Sequence, residues 1–246
     1  MTEQRAQYDN IGSKYEEYAT IATIKRAERY TFFRLLGALG GKSVMDLACG
    51  FGFYTRMLKQ HGASRVIGVD ISPEMIRLAD EKEKADPLGI DYLVCDAAAL
   101  GELGHFDLVT AVYLFNYATS KDQMLRMFQS AYRNLAEGGR LIAYTVNPEF
   151  SLSTSNCTKY GNHVVREVPE QDRYACEAEF TTDPPTRFHF YRWNRATYDW
   201  AISEAGFHTH RFCPTEVAPE DVERYGEAYW TDLRNNSLVI GLTCHK

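Results

Sequence analysis

Apolar positions in this chain fall into short continuous runs separated by longer stretches of helical period. The runs are residues 43–47 (Ser-Val-Met-Asp-Leu), 65–70 (Arg-Val-Ile-Gly-Val-Asp), 91–95, 106–112 and 140–146. Runs this short, rich in Val, Ile and Leu and bounded by Gly or acidic residues, predict strands buried on both faces. Between them lie helical patterns. One spans roughly Ile24 to Leu39 and stops at Gly40-Gly41. A second follows Gly52 and carries Tyr54, Met57 and Leu58. A third opens at Ser72-Pro73-Glu74, where Ser caps, Pro suits the first turn and Glu favours the positive helix end. A fourth, about Lys121 to Leu135, aligns Met124, Phe128, Tyr132 and Leu135 and closes at Gly138-Gly139. Strands alternating with helices predict a parallel sheet of doubly wound type.

After Asn147-Pro148 the pattern breaks. Residues 148–193 are rich in aromatics, Ser, Thr, Asn and Pro, with short alternating pieces such as Arg187–Trp193. They predict an irregular loop plus antiparallel strands lying over the sheet edge. A helix from Asn194 or Ala196 to Ala205 ends at Gly206, and two strands near 207–213 and 237–244 close the chain. The expected fold class is α/β: a Rossmann-like, seven-stranded, mostly parallel sheet with helices on both faces, an antiparallel last strand and a small substrate-covering insertion. The expected divisions are 1–40 as N-terminal cap or lid helices, 41–147 as a ligand-binding core, 148–193 as the insertion, and 194–246 completing the core.

Composition narrows the function. With 246 residues and 45% hydrophobic content the chain suits one α/β domain with a proper core. The net charge of −6 disfavours a nucleic-acid partner, and no Lys/Arg cluster offsets it. The densest basic piece, Lys25-Arg26 to Arg29, falls on the first amphipathic helix. The six cysteines show no C-x-x-C spacing, so neither zinc nor a redox dithiol is signalled; Cys49, Cys95 and Cys244 sit in apolar runs, as in a reduced cytoplasmic protein. No membrane association is expected, because no apolar stretch is long enough to span a bilayer.

The chemistry concentrates at strand ends. Asp46 directly precedes a glycine turn, Leu47-Ala48-Cys49-Gly50-Phe51-Gly52, and the second strand ends in Asp70. Dinucleotide folds put pyrophosphate on such a loop, and a carboxylate one turn upstream would repel it. A G-x-G-x-x-G reading from Gly50 also needs glycine at 55, which is Thr55. The arrangement favours a cationic ligand without phosphate, and S-adenosylmethionine has a sulfonium, an ammonium and a ribose diol. Asp96 ends the third strand. All three acids then lie at carboxyl ends of adjacent parallel strands, where open α/β sheets bind ligands.

These residues resemble the class I S-adenosylmethionine-dependent methyltransferases over nearly the whole chain. The family's acid-x-Gly-x-Gly-x-Gly pattern reads here with Ala48 at the first glycine, which fits if Ala48 keeps a negative φ. The resemblance implies that Asp46 holds the cofactor ammonium and that Ala48, Gly50 and Gly52 let the backbone approach the methionine portion. Asp70 would take the ribose hydroxyls, Ile71 and Met75 would flank the adenine, and Asp96 and the Ala97 N–H would read its edge. The N-terminal Tyr8 and Tyr15 could shield the sulfonium as a lid; a plain amphipathic helix is the alternative. Tyr113, Asn116 and Tyr117, after the fourth strand, could face the methyl group, whereas Leu114 and Phe115 read as core. No carboxylate and amide cluster marks a metal site, so a metal-independent enzyme with S-adenosylhomocysteine as by-product is expected.

A narrower resemblance rests on Tyr8-Asp9-Asn10-Ile11-Gly12, Leu114-Phe115-Asn116-Tyr117-Ala118, residues 143–150, Asp183-Pro184-Pro185 and Phe190-Tyr191-Arg192-Trp193. These look like the toxoflavin-type N-methyltransferases, which implies a flat, nitrogen-rich, azapteridine-like heteroaromatic acceptor. The candidate acceptor-binding residues are Asn116, Tyr117, Tyr144, Asn147, Phe150 and Tyr191. The candidate catalytic residues are Tyr8, Tyr117, Asn147 and His163. An O- or C-methyltransferase acting on a phenolic or quinone-pathway intermediate is the alternative on the same fold, and a non-catalytic cofactor-binding protein is a third. Monomer and homodimer both remain open.

Overall fold

The computed structural model describes residues 14, 15 and 17–246. Its main sheet is built from β1 (Ser43–Leu47), β2 (Arg65–Asp70), β3 (Asp91–Val94), β4 (Phe106–Val112), β5 (Leu135–Val146), β9 (Thr209–Cys213) and β10 (Val239–His245), and the three intervening strands, within residues 162–193, form a separate sheet. The strand order is β3-β2-β1-β4-β5-β10-β9. β1 pairs in parallel with β2 and β4, β2 with β3, and β4 with β5; β10 runs antiparallel between β5 and β9. The Rossmann-like sheet with its antiparallel closing strand is the architecture that the period analysis expects.

Successive strand residues point to opposite faces, and that alternation divides the core in two. Val44, Leu108 and Ile142 face α1 (Thr23–Leu36) and α2 (Phe53–Gln60). Their neighbours Met45, Val109 and Leu141 face α4 (Lys121–Arg133) and α5 (Arg195–Ala205). α3 (Pro73–Ala85) connects β2 to β3, and Ser72 caps it by accepting the Met75 N–H at 3.1 Å.

Local boundaries differ from expectation where glycine geometry intervenes. α1 ends at Gly37 (φ 67°), before Gly40-Gly41, because Gly37 takes the left-handed turn and donates to the Phe33 carbonyl. α4 ends at Arg133, and β5 already begins at Leu135; Gly138-Gly139 lie within that strand, where its register with β4 shifts. Residues 214–236, for which the period pattern signals nothing, hold α6 (Pro219–Tyr225) and α7 (Thr231–Asn235), pinned by the fully buried Trp230.

The insertion is more regular than expected. β6 (Asn162–Pro169), β7 (Arg173–Phe180) and β8 (Thr186–Trp193) form a three-stranded antiparallel sheet. It covers the carboxyl ends of the central strands. Phe180, Phe188 and Phe190 join the core cluster that includes Tyr144 and Val146. Trp193 Nε1 and the Arg173 guanidinium donate to the carbonyls of Ala118 and Thr119 in the loop after β4. Arg192 pairs with Glu167 at 2.7 Å and donates to the Pro148 carbonyl, tying β8 to the start of the insertion.

Candidate functional site

The carboxyl ends of β1, β2, β3 and β4 open into a cleft. Its walls bring together Tyr15, Ala48, Gly50, Asp70, Ile71, Met75, Asp96, Ala97 and Tyr113, all of them candidate cofactor residues. Tyr8, also a candidate, lies outside the described residues.

Asp70 organises the floor. One carboxylate oxygen accepts the Gly50 N–H at 2.8 Å and the other the Ser72 N–H at 2.9 Å. Asp96 accepts the Ala98 N–H at 2.8 Å, which fixes its carboxylate at the cleft wall.

Asp46 is placed one layer deeper. It is buried, and its two oxygens accept from Thr55 Oγ1 and Thr110 Oγ1, each at 2.7 Å. Burial lifts its pKa to about 6, against the two threonine bonds that lower it, and the nearby Asp70 charge adds to the rise. Asp46 borders a recess that shares Tyr15, Ala48 and Gly50 with the cleft.

Two glycine-loop expectations need correction. Ala48 adopts φ 56°, not a negative φ, so the chain holds alanine in the left-handed region that glycine prefers. Gly52 lines neither cleft nor recess. It caps α2 at φ 83°, and a Cβ there would meet the Tyr92 hydroxyl at 2.5 Å. Its absence of a side chain serves helix–sheet packing.

The recess also contains a residue that the sequence pattern concealed. Lys25 lines it at only 5% exposure and pairs with the fully buried Glu28. Glu28 also accepts from the Tyr54 hydroxyl at 2.5 Å and from the Tyr113 hydroxyl. The Lys25 ammonium lies over the rings of Tyr15, Tyr54 and Tyr113 at 5.6, 5.4 and 5.1 Å. Burial holds the Tyr15, Tyr54 and Tyr113 phenols above their ordinary pKa, so they stand protonated at neutral pH. Tyr113 itself sits at φ 59° directly after β4, a strained backbone of the kind that gathers at functional sites. The one signal for the pair is Lys and Glu at i,i+3 beside Ile24 and Ala27, a spacing that solvated helix faces share.

A second, smaller chamber adjoins the cleft beneath the inserted sheet. Tyr15, Tyr113 and Tyr117 line both cavities and so form their junction. The other walls are Tyr18, Asn116, Val146, Asn162, Phe180, Phe188, Phe190, Leu238 and Val239. Among the described residues no Lys, Arg, His, Asp or Glu lines it.

Of the six candidate acceptor residues, the chamber collects Asn116 and Tyr117. The other four line neither cavity. Tyr144 is fully buried, with its hydroxyl bonded to Thr215. Asn147 spends its amide on the Ser237 carbonyl and the Glu149 N–H. Phe150 packs into the core. Tyr191 turns to the opposite face of β8, where the Arg173 guanidinium stacks on it at 3.6 Å. His163 bonds Thr158 Oγ1 at 2.6 Å, away from both cavities. Phe115 stacks on Phe128 at 3.9 Å in the core, as expected, whereas Leu114 lines the cleft.

Residues 44–139 match the family model described as a methyltransferase domain. A demethylmenaquinone methyltransferase from Lactococcus lactis subsp. lactis is 31% identical over 150 residues, which is 58% of this chain and 58% of that protein. A ubiquinone biosynthesis O-methyltransferase from Coxiella burnetii is 32% identical over 113 residues, 46% of this chain and 47% of that protein. The chain thus spans about half the length of the curated relatives it matches. Among solved structures, an S-adenosylmethionine dependent methyltransferase from Mesorhizobium loti superposes with a TM-score of 0.65 at 20% identity, covering 89% of this chain and 98% of that one. That likeness establishes the Rossmann-like fold.

Proposed function

We propose that this chain, which has the Rossmann-like fold and matches a methyltransferase domain over residues 44–139, is an S-adenosylmethionine-dependent methyltransferase of a small, flat, nitrogen-rich heteroaromatic. One observation carries the reading: an acid-lined cleft at the strand ends meets an uncharged aromatic chamber across Tyr15, Tyr113 and Tyr117. Such a pairing suits a charged methyl donor on one side and a neutral acceptor on the other.

The residues present fit that donor. Asp70 lines the cleft at the end of β2, where its carboxylate would take a ribose diol, and Ile71, Met75, Asp96 and Ala97 make an apolar slot with a polar edge for a purine. Asp46 and Lys25 face the same recess with opposite charge, as the ammonium and carboxylate of an amino-acid tail require. S-adenosylmethionine, when bound, supplies an already activated methyl group for direct displacement. What remains for the protein is alignment and exclusion of water. Tyr15 and Tyr113 offer ring faces at the junction, where they would stabilise a sulfonium by cation–π attraction. Their protonated hydroxyls act as fixed donors and acceptors, not as phenolate bases. A ring nitrogen that arrives unprotonated needs no base.

The names of the two relatives favour a second reading, a quinone- or phenol-type acceptor methylated on oxygen or carbon. Mass spectrometry of a demethylated pyrimidotriazine incubated with the protein and S-adenosylmethionine separates the two. A gain of about 14 daltons on the heterocycle supports the first reading. No gain there, with a methylated product from a dihydroxylated aromatic, moves the acceptor to the second.

A further inference from the structure

We infer that Asn116 and Asn162 are the specificity-determining pair of the chamber, selecting an uncharged flat ring that presents hydrogen-bond donors to both amides. The inference rests on the proposed methyltransferase reading and names the acceptor class of that same site.

The two residues come from unrelated elements. Asn116 lies in the single 3-10 turn Phe115–Tyr117 after β4, and Asn162 is the first residue of β6, paired with Phe180. Both line the chamber, at 2% and 5% exposure. In each, the buried side-chain Oδ1 has no hydrogen-bond partner among the described residues. Buried acceptors are rarely left unpaired, because each forfeits its bond to water. Two at one small chamber point to a ligand that supplies both donors.

Phe180, Phe188, Phe190, Tyr113 and Tyr117 line the same chamber and offer ring faces to a planar ring. Phe180 and Phe188 already stack at 4.1 Å and 16°. With no charged side chain among the described lining, an ionised ligand would be desolvated without a counter-charge, so the ring is neutral. A ring carrying only carbonyls would leave both Oδ1 atoms as they are. A ring with N–H, amino or hydroxyl groups satisfies them, and a site built for such groups rejects analogues that lack them.

The test uses the full chain saturated with S-adenosylhomocysteine and two probes. One is lumazine, a pteridinedione with two ring N–H groups, held at a pH where it is neutral. The other is 1,3-dimethyllumazine, the same ring with both donors blocked. Calorimetric affinities are measured for the parent protein, Asn116→Leu and Asn162→Leu, with Asn116→Ser and Asn162→Ser as milder variants should leucine impair folding. The parent is expected to prefer lumazine by roughly tenfold or more, and each variant to lose most of that preference while S-adenosylhomocysteine affinity holds. Equal affinity of the parent for both probes, binding of neither, or a preference that survives both substitutions would overturn the assignment. Failure of S-adenosylhomocysteine itself to bind would instead strike the methyltransferase reading.

Discussion

The cleft and the chamber share three tyrosines but are built by different means. The cleft takes its polarity from strand termini, Asp70 ending β2 and Asp96 just past β3, with Asp46 of β1 in the adjoining recess. A parallel sheet delivers such positions to one edge whatever the loops do. The chamber takes its character from an inserted three-stranded sheet and one turn, with phenylalanines and two amides and no described charge. The scaffold therefore dictates the charged half of the site, and an added module dictates the neutral half. Specificity on a widely used fold is expected to reside in such a module.

The sharpest way to break this division is at Asp70. Asp70→Ala is expected to weaken S-adenosylhomocysteine binding by about tenfold or more, since charged acceptors are worth about 1.5–3 kcal/mol each. Isothermal calorimetry reads the change, and unaltered affinity would remove the ribose from this carboxylate. Acceptor binding at the chamber should shift far less.

Asp46 tests whether the charged half is kept for function at the expense of stability. Its pKa rises from 3.8 to about 6, so the folded chain holds that proton more tightly than the unfolded chain. The preference stabilises fully below about pH 4 and is lost as pH climbs through about 6. Ionised Asp46 at neutral pH thus costs on the order of 3 kcal/mol, taking about 1.4 kcal/mol per unit. Asp46→Asn should hold or raise the melting temperature at pH 7.5 while weakening cofactor binding several-fold. The parent's affinity should decline between pH 7.5 and pH 5 as the ammonium loses its counter-ion, and the variant's profile should be flatter. A variant that loses stability and keeps affinity would make Asp46 purely structural.

On the chamber side, Phe188→Leu conserves most of the volume but removes a ring face. Acceptor KM is expected to rise a few-fold, with stability down by less than about 1.5 kcal/mol and S-adenosylhomocysteine affinity unchanged. An equal fall in cofactor affinity would show that the two cavities are not separable. The smallest effect is local. Ala48→Gly relieves a left-handed alanine and should stabilise the chain by up to about 1 kcal/mol in urea titration. Destabilisation would mean that the alanine methyl contributes packing worth more than the strain.

Parity explains much of what the acceptor residues did. Tyr191 belongs to an aromatic run, Phe190-Tyr191-Arg192-Trp193, that reads as a single surface. Along β8 the chamber receives Phe188 and Phe190, and period two sends Tyr191 to the other side, where Arg173 covers it. Asn147 fails for a different reason: its amide is consumed by backbone partners at residues 149 and 237, which no local pattern announces.

Local period and turn chemistry determined the seven strands, the glycine turn and the acids at strand ends, because those signals depend only on residues a few positions apart. Tertiary structure alone decided the sign of φ at Ala48, the burial of Lys25 against Glu28 and the meeting of Asn116 with Asn162. The last two are set by partners distant in sequence: Glu28 meets Tyr113 across 85 residues, and Asn116 after β4 and Asn162 of β6 line one chamber. A side chain's neighbours across a packed core carry no periodic trace in the chain, so the chemistry of the chamber became legible only once the inserted sheet had closed over the strand ends.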